Sequence, residues 1–393
     1  MRMHMKVLMV EPLGFSGICY YTAGLCRTLQ PLVEELTLLT ASNYELNTSQ
    51  EPYTVLPLLG GMNRNQAKLR RGFNALRNPL IMLDVIRANN PTIVHFQDSF
   101  IPLIEMWSVN LAHRLCAGVI YTVHDVERAT LLGEPTVHSR LTALALHRIY
   151  HIANRLIVHS QNSADELQKR FTVDVSNIYQ LPLGAPYIDN NSLPNRAEAR
   201  ASLNIPADCI VALFFGNLKK TKGLDYLLKA LQRVVERLPN FLLLVAGPPR
   251  SENTTDYIGV TKSLGLEDYV RFDMRYIPYH EVPYYFIASD FVVLPYQKVY
   301  QSAVVVTAYA FGRPVVATRV DGLSEVVEDG RSGYLVDDSA DVRSLADKII
   351  LMGLDQAKRN DMEHYVRELT LTRYSWTAIA KETKRIYSTL ANE

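Results

Sequence analysis

The stretch FFGNLKKTKGLD, residues 214–225, is the most informative part of this sequence. The apolar run 209–215 predicts a buried strand, and the apolar periodicity of 224–238 predicts a helix. A glycine turn with lysines, ending in Lys222-Gly223, joins the two. A strand, a turn with fixed positive charge and then a helix suit a diphosphate. A basic surface loop with solvated lysines is the alternative that this stretch alone leaves open.

Composition limits the class of protein. The 393 residues predict two or three domains, and a formal net charge of +1 offers no global field for nucleic acid. None of the four cysteines stands in a CxxC pair, which is typical of reduced thiols in the cytosol. No apolar run approaches the ~20 residues of a membrane-spanning helix. We expect a cytoplasmic protein, with association at the cytoplasmic face of a membrane left open.

The chain alternates apolar runs with helical patterns, which predicts α/β domains with parallel sheets. Residues 181–206 carry prolines, glycine and asparagines and indicate a linker. We therefore predict two Rossmann-like, doubly wound domains, 1–184 and 185–374, that face each other across a ligand-binding cleft. A last amphipathic helix, 375–393, is expected to pack back on the first domain. The predicted strands are 7–10, 36–40, 92–96, 119–123, 155–158, 210–215, 241–246, 270–272, 291–294 and 314–317.

In the first domain, candidate residues lie where predicted strands end. The turn GFSG contains Ser16 and Gly17, but it lacks the GxGxxG pattern of dinucleotide sites. His124 follows the strand 119–123, where an imidazole could bond a sugar hydroxyl and Asp125 could orient it. A capping aspartate and a buried structural histidine are the alternative. Acceptor contact is the hypothesis for the analogous strand end, which carries His95, Gln97 and Asp98.

In the second domain, Ser302, Ala303 and Val304 open a predicted helix. Free backbone amides at that end favour an anion, and the Ser302 hydroxyl adds a donor. An ordinary serine helix start is the alternative. We find no nucleophile elbow, P-loop, zinc signature or DxD-like pair of acids, so the sequence requires no metal and no cofactor. A lysine and a helix dipole could neutralise a leaving diphosphate instead.

Taken together, these motifs resemble the GT-B glycosyltransferases, specifically glycosyltransferase family four (glycosyl transferases group 1), which are retaining enzymes that use nucleotide sugars. The likeness covers nearly the whole chain and is specific for the family, not for the donor or the acceptor. The segments that carry it are Ser16-Gly17, the strand end at His124, FGNLKKTKGLDYLL (215–228), AGP (246–248), AYAFGRPVVAT (308–318), DGLSEVV (321–327) and YSW (374–376).

The resemblance implies roles for individual residues. Lys222 would bind the donor diphosphate, and Lys219 would supply the second charge that the family usually places at Asn217. His124 would contact the donor sugar and join the two lysines as the catalytic set. The implied donor-binding residues are Ser16, Gly17, Gly216, Asn217, Lys222, Arg275, Tyr276, Ser302, Ala303, Val304 and Thr307. The acceptor candidates are Gln97, Asp98 and Asp125.

The sequence departs from the family at one pair of positions. The family typically has two glutamates eight residues apart, and Val299 and Thr307 stand in their places. The second glutamate normally holds the ribose, so Thr307 is the expected but altered ribose position. The surrounding pattern resembles a subgroup that lacks the pair.

The function implied is retaining transfer of a hexose-type sugar from a UDP- or GDP-linked donor to a glycan acceptor. A lipid-linked acceptor and a setting in surface polysaccharide or glycoconjugate assembly are favoured. The alternatives are a non-catalytic nucleotide-sugar-binding subunit and a nucleotide-sugar epimerase or hydrolase on the same fold. The basic amphipathic segment 65–87 could contact anionic lipid, or it could simply pack on its own sheet.

Overall fold

The computed structural model describes residues 5–60, 74–97, 101–116, 118–126, 137–186, 193–249 and 255–390. The chain forms two compact units. The first comprises Met1–Tyr187 and Tyr374–Glu393, and the second comprises Ile188–Arg373. The chain therefore returns to its first unit at its carboxyl end.

The first unit is built on a parallel sheet with seven strands in the described residues, in the order β3-β2-β1-β4-β5-β6-β7. In register, Val7 of β1 stands opposite Leu36 of β2 on one side and Ile93 of β4 on the other. The strands are β1 Lys6–Glu11, β2 Glu35–Ala41, β3 Thr54–Leu59, β4 Ile93–Gln97, β5 Gly118–Thr122, β6 Arg155–Val158 and β7 Ile178–Gln180.

The second unit has a parallel sheet with six strands in the described residues, in the order β10-β9-β8-β11-β12-β13. The reversal of strand order beside β8 and β11 is the kind of switch point at which doubly wound sheets bind ligands. The strands are β8 Ile210–Phe215, β9 Phe241–Ala246, β10 Val270–Asp273, β11 Phe291–Leu294, β12 Val315–Thr318 and β13 Gly333–Val336.

Helices cover these sheets because their apolar stripes face the buried strands. In the first unit they are α1 Ser16–Leu29, α2 Asn78–Asn89, α3 Pro102–Leu115, α4 Val137–Ile152 and α5 Gln161–Phe171. In the second unit they are α6 Arg196–Ser202, α7 Leu224–Arg237, α8 Tyr257–Ser263, α9 Val282–Ala288, α10 Ala303–Ala310, α11 Asp321–Ser324, α12 Val342–Leu354 and α13 Gln356–Leu371. The last helix, α14, is Trp376–Leu390. Within the described residues, no helix combines the length and apolar character needed to cross a membrane.

The first unit has a separate core on each face of its sheet. Helices α2 to α5 close one core, and α1 packs with α14 in the other. The Trp376 indole anchors α14: its Nε1 donates to the Ala185 carbonyl at 2.5 Å. A Cβ added at Gly24 or Gly184 would lie within 2.6 Å of this ring, so both positions must lack a side chain for the indole to fit.

The prediction of two parallel-sheet α/β domains is confirmed. The sequence patterns missed the strands β3, β7 and β13 and the helices α3, α5, α6, α11, α12 and α13. Strand β3 lies at the sheet edge, is largely exposed and contains Pro57, so neither a buried apolar run nor an alternating pattern marks it. Helix α1 begins at Ser16, within the segment predicted as a turn. The predicted helix that begins at residue 65 is described from residue 74 onward, and residues 61–73 lie outside the described residues.

Candidate functional site

The lysine turn of the second unit has the predicted strand–turn–helix form. Strand β8 ends at Phe215, a short 3-10 turn spans Lys220–Lys222, and α7 follows. Gly223 has φ +69°, and a Cβ there would lie 1.9 Å from the Pro295 carbonyl oxygen. Only glycine combines this left-handed conformation with such a close approach. The turn is thereby fixed against the end of β11.

The Lys222 ammonium lies against Tyr296, two residues after β11. Its Nζ donates to the Tyr296 hydroxyl at 2.7 Å and lies 4.2 Å from the centre of that ring. A Cβ built on Gly216 would lie 3.5 Å from Lys222 Nζ and 3.8 Å from a methyl of Val304. The structure therefore brings Val304 next to Gly216 and Lys222, which are more than 80 residues earlier in the sequence.

Ser302 completes this cluster as the N-cap of α10. Its side chain is 6% exposed, and its Oγ has no hydrogen-bond partner within the described structure. A buried hydroxyl without a partner is costly, and the first amides of a helix have no intrahelical acceptor. An anionic oxygen placed beside Ser302, Ala303 and Val304 would satisfy these groups together.

The loop before α10 is held by backbone contacts. The Gly322 amide donates to the Val299 carbonyl at 3.0 Å, and a Cβ on Gly322 would lie 2.1 Å from the Tyr300 carbonyl oxygen. Thr307 donates its hydroxyl to the Ala303 carbonyl at 2.8 Å. Val299 and Thr307, the two positions that lack the family's glutamates, therefore each take part in a hydrogen bond that stabilises the loop or helix α10.

The other predicted donor residues lie at the exposed end of the second sheet. Arg275 is paired with acids: its Nε lies 3.0 Å from Asp273, and its guanidinium also bonds Glu281. The hydrogen bonds that the Arg275 guanidinium donates to the Glu281 carboxylate raise the pKa of Arg275. Tyr276 is 44% exposed, Asn217 is exposed, and Lys219 is half-buried.

In the first unit, the turn between β1 and α1 is organised by Glu11. This buried carboxylate accepts from the Leu13 amide at 2.9 Å, the Gly14 amide at 2.8 Å and the Thr40 hydroxyl at 2.9 Å. Burial raises the pKa of Glu11 to about 7. Gly17 is exposed in the first turn of α1, with nothing near its missing Cβ. The sequence analysis missed Glu11, although an acid that ends an apolar strand was a usable signal.

A row of histidines crosses the carboxyl ends of β4, β5 and β6; we call His95, His124 and His159 the histidine row. His95 bonds the Tyr387 hydroxyl through Nδ1 and the Thr122 hydroxyl through Nε2, each at 2.7 Å. The Gln97 side chain bridges the first two histidines, at 3.4 Å from His95 and 3.0 Å from His124. His124 Nδ1 lies 3.3 Å from His159 Nε2.

The proton positions in this row follow from its acceptors. His159 Nδ1 lies 3.0 Å from the Leu181 carbonyl, which can only accept, so Nδ1 carries the proton. Burial lowers the pKa of His159 to about 4, so its Nε2 is bare near neutral pH and faces His124 Nδ1 as an acceptor. His124 Nε2 faces another acceptor, the Gln97 side-chain oxygen, so a neutral His124 ring can donate to only one of the two. Both ring nitrogens thus have protein partners, and a sugar hydroxyl would have to share or displace one of them.

These contacts limit how the predicted acceptor residues, Gln97, Asp98 and Asp125, could act. Gln97 is fully buried and reaches His124, so any effect it has on an acceptor would pass through that ring. Asp125 is half-buried beside His124, and Asp98 lies outside the described residues. In the described part of the chain, no group of three or more His, Cys, Asp or Glu side chains could hold a metal ion.

Comparison with protein families gives two matches in chain order. Residues 15–186 match the model "Glycosyltransferase Family 4", and residues 195–369 match "Glycosyl transferases group 1". A D-inositol 3-phosphate glycosyltransferase of Catenulispora acidiphila is 30% identical over 72% of this chain and 66% of its own length. A relative of the same name from Streptomyces scabiei is 29% identical over 62% of this chain and 55% of its own. The chain thus spans about two thirds of these relatives' length or less.

Solved structures share the fold over the whole chain. Sucrose-phosphate synthase from Thermosynechococcus elongatus has a TM-score of 0.79 at 19% identity, covering 98% of this chain and 99% of its own. Anabaena HepE, solved with UDP and glucose, has a TM-score of 0.75 at 20% identity, covering 98% and 100%. At these identities the likeness shows the fold, which is the predicted GT-B arrangement of two parallel-sheet domains.

Proposed function

Because the chain belongs to the glycosyl transferases group 1 family, we propose that it is a retaining, nucleotide-sugar-dependent glycosyltransferase. It transfers a hexose-type sugar from a UDP- or GDP-linked donor to a glycan acceptor. UDP is the first nucleotide to test, since HepE, which has the same fold, was solved with UDP and with UDP-glucose.

The observation that carries this proposal is the polar cluster formed by Lys222, Ser302 and the start of α10 at the end of the second sheet. Lys222 supplies a fixed positive charge, and the start of α10 supplies free amides. The buried Ser302 hydroxyl has no partner within the described structure. A diphosphate is the common ligand that satisfies a cation, helix amides and a hydroxyl at one place.

The mechanism proposed from the family resemblance needs no protein nucleophile. The bond from the anomeric carbon to the diphosphate oxygen breaks, and the acceptor oxygen attacks from the same face. The acceptor's proton passes to the departing phosphate oxygen. Lys222 and the α10 amides would stabilise the negative charge that grows on that oxygen, with Lys219 as the second cation. His124, oriented by His159 and Gln97, would meet the donor sugar.

The acceptor side of the proposal is a lipid-linked glycan in surface polysaccharide or glycoconjugate assembly, at the cytoplasmic face of a membrane. The proposal needs no metal. Residues at the carboxyl edge of the first sheet, Gln97 and Asp125 among them, would shape the acceptor site.

The test begins with thermal unfolding of the full chain in the presence of UDP, GDP, ADP and their sugars. A ligand bound only by the native state at about 100 times its dissociation constant adds roughly 2.7 kcal/mol of stability. We expect one nucleotide family to raise the unfolding temperature. Product formed with an added glycan is then examined by NMR, and retention at the anomeric carbon is expected.

The rival functions give different results. A binding subunit would be stabilised by the nucleotide sugar and form no product with any acceptor. An epimerase or hydrolase would consume the donor without an acceptor. Stabilisation by none of the nucleotides would contradict the donor site itself.

A further inference from the structure

Three neighbouring helices of the first unit expose large apolar side chains at the same end. The strands of this sheet are parallel, and α2, α3 and α4 each end within a few residues of the start of the next strand. Their amino ends therefore lie toward the carboxyl edge of the sheet, where the histidine row is found. We call the exposed apolar side chains near those amino ends the apolar rim: Leu76, Leu80, Leu103, Trp107, Leu141 and Leu144.

The rim is too exposed to belong to the core. Leu80 and Leu144 are each 64% exposed, and Trp107 is 57% exposed. Neighbouring positions of the same helices, such as Met82 and Leu146, are buried in the sheet-facing core. The rim is therefore a second apolar face on helices that already pack through a first. Clustered apolar exposure of this kind marks an interaction surface.

The charge around the rim is positive. Arg77 adjoins Leu76, Arg140 adjoins Leu141, and both arginines are exposed without an ion pair among the described residues. Across residues 74–84, 101–108 and 140–145 there are two acids. Glu105 is buried and accepts from the Tyr121 hydroxyl at 2.8 Å, and Asp84 is exposed one helical turn beyond Leu80, so the two exposed arginines outnumber the one exposed acid. The surface thus combines apolar side chains, an exposed tryptophan and unpaired guanidinium groups.

From this combination we propose that the apolar rim docks the first unit on an anionic lipid bilayer. Leucines enter the boundary between headgroups and acyl chains, and tryptophan is favoured at that depth. The arginines pair with anionic headgroups. The docked surface adjoins the strand ends that carry His124 and Gln97, so a lipid-linked acceptor would meet the protein there; this last step rests on the proposed function.

The docking is tested without substrates, so its outcome is independent of the transferase assay. The full chain is sedimented with phosphatidylcholine vesicles and with vesicles containing about 30% phosphatidylglycerol, at low and high salt. We expect binding that needs the anionic lipid and weakens with salt. Arg77→Gln with Arg140→Gln should lower partitioning about thirtyfold, about fivefold per arginine. Leu80→Ser with Trp107→Ser and Leu144→Ser should abolish it.

Matched controls lie at the opposite ends of the same helices. Leu115 is 45% exposed at the end of α3, and Arg87 and Arg114 are exposed toward the ends of α2 and α3. Leu115→Ser, and Arg87→Gln with Arg114→Gln, should bind vesicles as the wild type does. Trp107 emission should shift to the blue on binding, and Trp107→Phe should remove that shift. Thermal unfolding verifies that every variant is folded.

Three results would overturn the proposal. The first is that the wild type binds neither kind of vesicle, and the second is that the rim variants bind as well as the controls. The third is a concentration-dependent dimer in sedimentation that the rim substitutions dissociate while vesicles stay unbound. That result would assign the rim to a second copy of the chain.

Discussion

His159 makes the stability of the first unit depend on pH, and replacing it by asparagine tests this. The ring is buried and neutral, with its pKa lowered to about 4 by burial, whereas an unfolded histidine titrates near 6.5. Between these values the unfolded chain binds more protons than the folded chain. The stabilising contribution is therefore fully present above pH 6.5 and is lost as the pH falls toward 4.

The magnitude follows from the same two pKa values. At about 1.4 kcal/mol per pKa unit, the whole difference is worth roughly 3 kcal/mol, and about 2 kcal/mol of it is lost between pH 7 and pH 5. His159→Asn keeps a donor for the Leu181 carbonyl and removes the titrating ring. The variant starts less stable, but its free energy of unfolding should fall about 2 kcal/mol less over this interval than that of the wild type.

Tryptophan fluorescence during urea unfolding is a suitable assay, because both tryptophans of the chain, Trp107 and Trp376, belong to the first unit. The free energy is measured at several pH values between 7 and 5 for the wild type, His159→Asn and His113→Asn. His113 is exposed at the end of α3, so its replacement removes a histidine without touching the row. Wild-type and His159→Asn curves that run parallel to within about 0.5 kcal/mol would refute the assignment of His159 as a neutral buried acceptor.

Four further substitutions test the donor site. Lys222→Ala should weaken UDP binding in calorimetry roughly tenfold to a hundredfold, since it removes a charged partner, while Lys220→Ala on the same turn should change it little; equal effects would contradict the role of Lys222. Ser302→Ala should weaken UDP binding about fivefold without lowering the unfolding temperature, and a loss of stability alone would make its role structural. Gly322→Ala should cost about 1–3 kcal/mol in urea unfolding, because its Cβ has no room, and an unchanged midpoint would contradict that contact. Thr307→Glu restores a carboxylate at the predicted ribose position and should tighten UDP about tenfold, whereas weaker binding would argue against a ribose there.

The sheets could be predicted because their signals are local. Strands such as Val315–Thr318 are buried on both faces and appear as unbroken apolar runs between helical patterns. The lysine turn was visible for the same reason, since Gly216, Lys222 and Gly223 lie within eight residues. Edge strand β3 could not be predicted, because it is largely exposed and contains Pro57 and so lacks the apolar run that marks a buried strand.

The organisation around the site could not be predicted because it depends on distant contacts. His95 bonds Tyr387, which is 292 positions away, and the spacing of the two residues carries no signal. His159 follows a buried strand like many structural histidines, yet its bonds to Leu181 and toward His124 connect the row to the chain after β7. Likewise, the sequence indicated Gly322 as part of a motif, and the structure shows that it is needed for the close approach to the Tyr300 carbonyl.

Without glutamates at Val299 and Thr307, a bound ligand would lose two carboxylate contacts. The loop and helix around the candidate diphosphate site nevertheless keep their hydrogen bonds. Position 299 contributes its backbone carbonyl to Gly322, a contact that any side chain would leave in place. Thr307 bonds within its own helix, so the start of α10 keeps its direction. The cation, the hydroxyl and the helix amides that favour a diphosphate are therefore preserved, while the expected carboxylate for the ribose is absent. Under the proposed function, donor recognition would therefore rely more on the diphosphate than on the ribose.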